Sequence, residues 1–144
     1  MHLLLASTST IYGQPYLEYL KNDLLAFLGE KRKILFIPFA RPSGISWERY
    51  TLKVRTALET IGIEITGIHE SADMVQALEK SEAIFTGGGN TFVLLNELYN
   101  QSILETLRDC IEKGTPYIGT SAGPYIAGRT IGTTNDMPIV YPAS

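Results

Sequence analysis

Two short stretches of this chain carry residues whose types and spacing could do chemistry. Gly119-Thr120-Ser121-Ala122-Gly123 fits G-x-S-x-G, the pattern of a strand that turns sharply into a helix with a serine at the apex. Glycines two residues to either side remove side chains that would collide as the backbone folds back. The hydroxyl then projects from the C-terminal end of the strand, and the next helix offers its first amides to a developing negative charge. The chemistry would be nucleophilic attack on an acyl group; the plain alternative is a glycine-rich strand-to-helix turn with an idle serine. The second stretch is Gly87-Gly88-Gly89-Asn90-Thr91. Three glycines leave backbone N–H groups unobstructed, and Asn90 can cap a helix. Such a turn could cradle a phosphate, a carboxylate or an oxyanion, or could simply be a tight turn that needs glycine. It lacks the Lys-Ser/Thr ending of a phosphate-binding loop and is not G-x-G-x-x-G, which argues against a nucleotide.

The elements that must position these stretches follow from the hydrophobic pattern. Apolar runs at 3–7, 33–39, 63–68, 82–87 and 116–120 predict strands. The run Ile34-Leu35-Phe36-Ile37 is continuously apolar, as a strand covered on both faces requires. Between the runs the period changes to that of a helix. Leu17, Leu20, Leu24 and Leu28 share one face; so do Trp47, Tyr50, Val54, Leu58 and Ile61, and so do Ile103, Leu104, Leu107 and Ile111. A further helix is expected over 91–99, after the triple glycine. Gly29, Gly62 and Gly114 each follow a helical stripe and precede a strand, where a left-handed C-terminal cap is wanted. Rounds of strand then helix predict an α/β fold with a mainly parallel sheet. Both glycine-bearing turns then sit at strand C-termini, the edge where open α/β sheets bind ligands.

The bulk numbers narrow the function. At 144 residues the chain suits one domain spanning 1–144, with 44% apolar and 19% charged residues, enough for a real core. A net charge of −3 and the absence of a basic patch argue against nucleic acid; the run Lys31-Arg32-Lys33 reads as a solvated loop. The first apolar run is too short for a signal peptide, and no stretch approaches the roughly 18 apolar residues a bilayer demands. A cytoplasmic protein with no membrane partner is expected. The one cysteine, Cys110, cannot form an internal disulfide or a metal cluster, and it falls on a helical stripe as a small core residue. No metal site is expected.

Taken together, "LLLASTST" (3–10), "ILFIPFA" (34–40), "GIHESAD" (67–73), "GGGNTFVLL" (87–95), "YIGTSAG" (117–123) and "TTNDMPIV" (133–140) resemble peptidase E, the aspartyl dipeptidase family of serine peptidases, over essentially the whole chain. The resemblance implies a three-layer α/β fold similar to class I glutamine amidotransferases, of flavodoxin-like type. It also implies hydrolysis of small Asp-X dipeptides without a cofactor. Carried onto this sequence, it makes Ser121 the nucleophile and the amides of Gly88 and Ala122 the oxyanion hole. Gly89 and Asn90 would hold the substrate. Asp136 matches an aspartate of the triad; a substrate-orienting role and a turn-stabilising role in Asp-Met-Pro stay open.

A serine hydroxyl needs an adjacent base, and the family supplies a histidine downstream of "TTNDMPIV". That segment, and the arginine expected to recognise the aspartyl side chain, fall past Ser144. The strand formers at 137–141 have little left to pair with, so a C-terminally incomplete domain is expected. Of the two histidines, His2 opens the first strand. His69 closes the third, which a family-like strand order places far from Ser121. Arg41 and Arg129 read as solvated charges and Trp47 and Tyr50 as core, although the loop from 40 to 46 follows a strand C-terminus and could border the site. Two rivals to the enzyme follow: a non-catalytic relative that binds anions or aspartyl peptides, and a subunit completed by another chain or by a homodimer.

Overall fold

The computed structural model describes residues 2–6 and 17–120. Its strands are β1 (Leu3–Ala6), β2 (Lys33–Ile37), β3 (Glu64–Gly67), β4 (Ile84–Thr86) and β5 (Tyr117–Thr120). Its helices are α1 (Lys21–Leu28), α2 (Trp47–Glu59), α3 (Met74–Glu79), α4 (Thr91–Asn100) and α5 (Leu104–Glu112). Every predicted strand is present, and each is shorter than its apolar run. β2 shows why: Pro38 has no N–H for the ladder, so pairing stops at Ile37 even though Phe39 and Ala40 remain fully buried. β3 ends at Gly67, and His69 lies in the single helical turn Ile68–Glu70 that follows, not in the strand. The caps at Gly29, Gly62 and Gly114 all have positive φ, as their positions predict.

All five strands are parallel, in the order β1-β5-β4-β2-β3. Ile34 and Phe36 of β2 pack with Leu24 and Leu28 of α1 and with Val54 and Leu58 of α2. Leu35 and Ile37 point the other way, onto Leu78 of α3, Leu94 and Leu98 of α4, and Leu107 and Ile111 of α5. The result is a three-layer α/β sandwich, and it explains the unbroken apolar run of β2. At the edge, β3 alternates instead, with Glu64 and Thr66 exposed and Ile65 buried.

One hand of parallel crossover requires the chain to change face when it reverses direction across the sheet. It moves outward to β3 through α1 and α2, then returns through α3, α4 and α5 on the opposite face. The order β3-β2-β4-β5 repeats the flavodoxin-like 2-1-3-4 progression, with β1 next beside β5. The neighbours β2 and β4 are therefore the switch point: the chain leaves their C-terminal ends towards opposite faces, which opens a crevice there. No described helix is long and apolar enough to cross a membrane.

Candidate active site

The Gly87–Asn90 turn lies at that switch point, and its conformation is set by what surrounds it. The amide of Gly87 donates to the carbonyl of Ile37 (3.2 Å), extending the pairing of β4 with β2 by one rung. The Gly88 carbonyl accepts a hydrogen bond from the buried Tyr50 hydroxyl at 2.9 Å. The amide of Asn90 donates to the Ala40 carbonyl, also at 2.9 Å. Two of the glycines are there because nothing larger fits. A Cβ on Gly87 would lie 2.4 Å from Tyr50 Oη and 2.8 Å from Phe36 Cζ. One on Gly89, whose φ is +144°, would lie 2.5 Å from the Ala40 oxygen.

That leaves the N–H groups of Gly88 and Gly89 with no acceptor among the described residues. Next to them begins α4, capped by Asn90, whose Oδ1 accepts from Phe92 N (2.9 Å) and Val93 N (3.1 Å). The Asn90 side-chain amide nitrogen has no partner among the described residues. Unclaimed main-chain donors beside a helix N-terminus suit a negative charge.

The loop after β2 forms the opposite wall. Arg41, Ser43 and Gly44 all have positive φ (43°, 56° and 73°), a costly shape for the two non-glycine residues. The Arg41 guanidinium reinforces it, Nε donating to the Ile45 carbonyl and Nη2 to that of Gly44, both at 2.9 Å. Arg41 is thus not only a solvated charge; it ties its own loop. Between this turn and Gly89, Asn90 and Val93 lies an open cavity of about 500 Å³.

The structure brings Gly88, Gly89 and Asn90 together on one edge, as their adjacency requires, and adds the Arg41 turn. Ser121, Ala122 and Asp136 lie outside the described residues. β5 is hydrogen-bonded beside β4, with Gly119 opposite Thr86, and runs to Thr120, the residue covalently before Ser121. Neither histidine has a hydrogen bond to the turn among the described residues. His2 precedes β1 at the opposite, N-terminal edge, against Phe27 (ring centroids 4.2 Å apart). His69 follows β3, which β2 and β4 separate from β5, and packs against Trp47. Cys110 is buried in the core beneath α3, its Sγ 3.6 Å from the Leu78 carbonyl. Burial pushes its thiol up, which keeps it neutral and inert. Among the described residues no group of three His, Cys, Asp or Glu side chains could hold a metal ion.

Two participants escaped the sequence. Ala40 acts through its carbonyl, which leaves no trace in residue type. Tyr50 sits on the α2 stripe as though it were core, yet its ring reaches under the glycine turn, edge-on to Phe36 (5.0 Å). The available signal was a phenol on an otherwise apolar stripe, since a buried Tyr hydroxyl needs a partner.

Known proteins are similar to this chain in sequence and in fold. The sequence profile of peptidase family S51 matches residues 3–144. The chain is 43% identical to a protein named "Probable alpha-aspartyl dipeptidase" from Drosophila melanogaster, over 99% of its own length and 60% of the relative's. It is 46% identical to a peptidase E from Shewanella amazonensis, over 98% of its own length and 60% of the relative's. It therefore spans about 60% of the length of these relatives. In fold it is similar to the crystal structure of a peptidase from an acI-B1 Actinobacterium, with a TM-score of 0.66 at 20% identity over 85% of this chain and 55% of that one. With a family profile matched along nearly all of its residues, the chain belongs to peptidase family S51.

Proposed function

We propose that this chain carries the nucleophile and oxyanion-binding part of a serine exopeptidase that hydrolyses dipeptides with an N-terminal aspartate. The observation that carries the reading is the pair of amides at Gly88 and Gly89 that have no acceptor among the described residues. They stand at the C-terminal edge of β4, beside the strand that leads into Ser121. In this reading Ser121 Oγ attacks the carbonyl carbon of the aspartyl residue. The amides of Gly88 and Ala122 stabilise the tetrahedral oxyanion, and the C–N bond breaks to leave an aspartyl ester on Ser121 and release the second residue, whose nitrogen takes up a proton, as the free amino acid. Water then cleaves the ester and releases aspartate. Gly89 and Asn90 hold the substrate, and Asp136 serves as the acid of the triad or orients the substrate. The name borne by the Drosophila relative supports aspartyl dipeptides as the substrate class.

The test incubates the chain and its Ser121→Ala variant with Asp-Leu and with a fluorophosphonate that labels activated serines. Hydrolysis and labelling that disappear in the variant are expected. Equal, near-zero signals in both would overturn the catalytic reading.

A second reading has its own support. The hydroxyl proton must pass to a base; His2 lies at the N-terminal edge of the sheet, and His69 follows β3, two strands removed from the strand that leads to Ser121. A chain with the cradle and no base would bind aspartate or Asp-X peptides without turnover, or act once a second chain supplied the base. Saturable aspartate binding with no labelling of Ser121 distinguishes that reading. Activity that rises with protein concentration, together with a dimer by light scattering, identifies the completed form.

A further inference from the structure

The three glycines that clear the anion site also remove the stiffness it requires. Donors stabilise a developing charge only when they are already in place, and glycine is the residue least able to hold a plane by itself. Four peptide planes make up the turn. The plane of Thr86–Gly87 is held through Gly87 N–H on the Ile37 carbonyl, and that of Gly89–Asn90 through Asn90 N–H on the Ala40 carbonyl. Among the described residues the plane of Gly88–Gly89 is held at one point, where its carbonyl meets the Tyr50 hydroxyl. The remaining plane, Gly87–Gly88, has no bond of its own among the described residues and relies on its neighbours.

The peptide is trans, so its C=O and N–H point in opposite directions. Pinning the Gly88 oxygen against buried Tyr50 therefore aims the Gly89 N–H away from the core. The hydroxyl itself is fixed from below. Ser46 caps the first turn of α2 by accepting from Arg49 N (3.1 Å), Tyr50 N donates to the Ser46 carbonyl (3.0 Å), and the ring is 2% exposed against Phe36. The missing side chain of Gly87 leaves the space in which Tyr50 Oη sits.

We propose that Tyr50 is a positioning residue: its hydroxyl locks the Gly88–Gly89 peptide, which aims the Gly89 amide directly and steadies the adjoining Gly88 amide offered to a substrate oxyanion. The catalytic consequence rests on the serine-peptidase reading; the lock itself does not. Tyr50→Phe removes one oxygen and keeps the ring. It frees two adjacent glycine planes at once and leaves a buried carbonyl without its donor.

The experiment pairs two readouts on the full chain. Backbone ¹⁵N relaxation should give Gly88 and Gly89 order parameters of about 0.85 in the wild type and below about 0.6 in Tyr50→Phe. The maximal rate of fluorophosphonate labelling should fall about tenfold, less than for deleting an oxyanion donor outright. The half-saturating probe concentration should hold, because the loss is confined to the transition state. Val54→Ala, one helical turn further along α2 and fully buried, is the control; it should lower the melting temperature and leave both readouts unmoved. Unchanged amides in Tyr50→Phe, or an equal effect from Val54→Ala, would overturn the proposal. If the wild type takes no label, the serine reading fails and the amides alone decide the lock. If Tyr50→Phe does not fold, the wild-type amides decide it: rigid ones uphold the lock and mobile ones refute it.

Discussion

Replacing Gly89 with alanine tests whether the cradle is held by close backbone approach. The added Cβ would lie 2.5 Å from the Ala40 oxygen, 2.8 Å from its carbonyl carbon and 2.9 Å from Pro42 Cδ. None of these atoms can rotate away. The first two are main chain, and the third belongs to a ring in a turn tied by the Arg41 guanidinium. Overpacking of this kind costs about 1–3 kcal/mol. A φ of +144° adds backbone strain of roughly 1–3 kcal/mol for an L side chain. Moving Ala40 to make room would also sacrifice its bond from Asn90 N, worth about 1 kcal/mol. A loss near 4 kcal/mol is expected, a large share of the ~5–15 kcal/mol that holds a typical domain.

Gly44 provides the internal comparison. Its φ is +73°, but nothing lies within 4 Å of a Cβ there, so Gly44→Ala pays the backbone term alone, about 1 kcal/mol. With a urea slope of about 2 kcal/mol/M, the unfolding midpoint should drop by roughly 2 M for Gly89→Ala and roughly 0.5 M for Gly44→Ala. Both are read from equilibrium urea titrations followed by circular dichroism. Equal shifts would refute the reasoning, because they would mean that the Ala40 carbonyl yields freely and the turn is not clamped against it.

Two further predictions concern side chains. Asn90→Ala should cost about 1 kcal/mol by thermal melting, since it abandons the amides of Phe92 and Val93. Asn90→Asp should melt within about 0.5 kcal/mol of the wild type, because a carboxylate caps α4 as well, yet bind aspartate more weakly by calorimetry because its charge repels the ligand. Burial pushes the Glu70 carboxyl up, but the Gly67 amide and the Arg55 guanidinium outweigh it and hold it below the usual carboxylate range. A lowered folded-state value contributes stability above the ordinary Glu value of about 4.3, which is lost as pH falls through the lowered one. Glu70→Gln should therefore melt below the wild type at pH 7, with the gap closing as pH falls below the ordinary Glu value; a gap that stays constant into acid would count against the pairing.

How far the fold was legible depends on the range over which each signal acts. The run Ile34–Ile37 announced a doubly covered strand because burial on both faces constrains every position. The stripe of Leu17, Leu20, Leu24 and Leu28 pointed to a packed face, and all four are buried. α3 went unseen because six residues complete fewer than two turns and cannot display a period. Its one local sign was Asp73, whose carboxylate accepts from Gln76 N. Strand order was not legible in the hydrophobic pattern, because which strand pairs with which is settled by faces that meet only in three dimensions; only the family resemblance set the third strand apart from the fifth.

The same division runs through the site. The G-x-S-x-G reading is a local one, because a sharp turn would need glycine within two residues of its apex and so demand and signal share one window; its serine lies outside the described residues. The triple glycine could be recognised as a turn but not explained, since its reasons lie elsewhere in the chain: the Tyr50 hydroxyl occupies the place of the side chain missing from Gly87, and the Ala40 carbonyl that of Gly89. The bond from Tyr50 to Gly88 spans 38 positions, and Tyr50 contributes to the hydrophobic stripe of α2 as any large core residue would. Only its oxygen sets it apart. A polar atom on an apolar stripe has to be satisfied by something the stripe does not contain. In an α/β sheet, what lies beyond the first turn of a helix is the loop at the neighbouring strand's C-terminal end, so a phenol at that position points to the ligand-binding edge as surely as the glycines do.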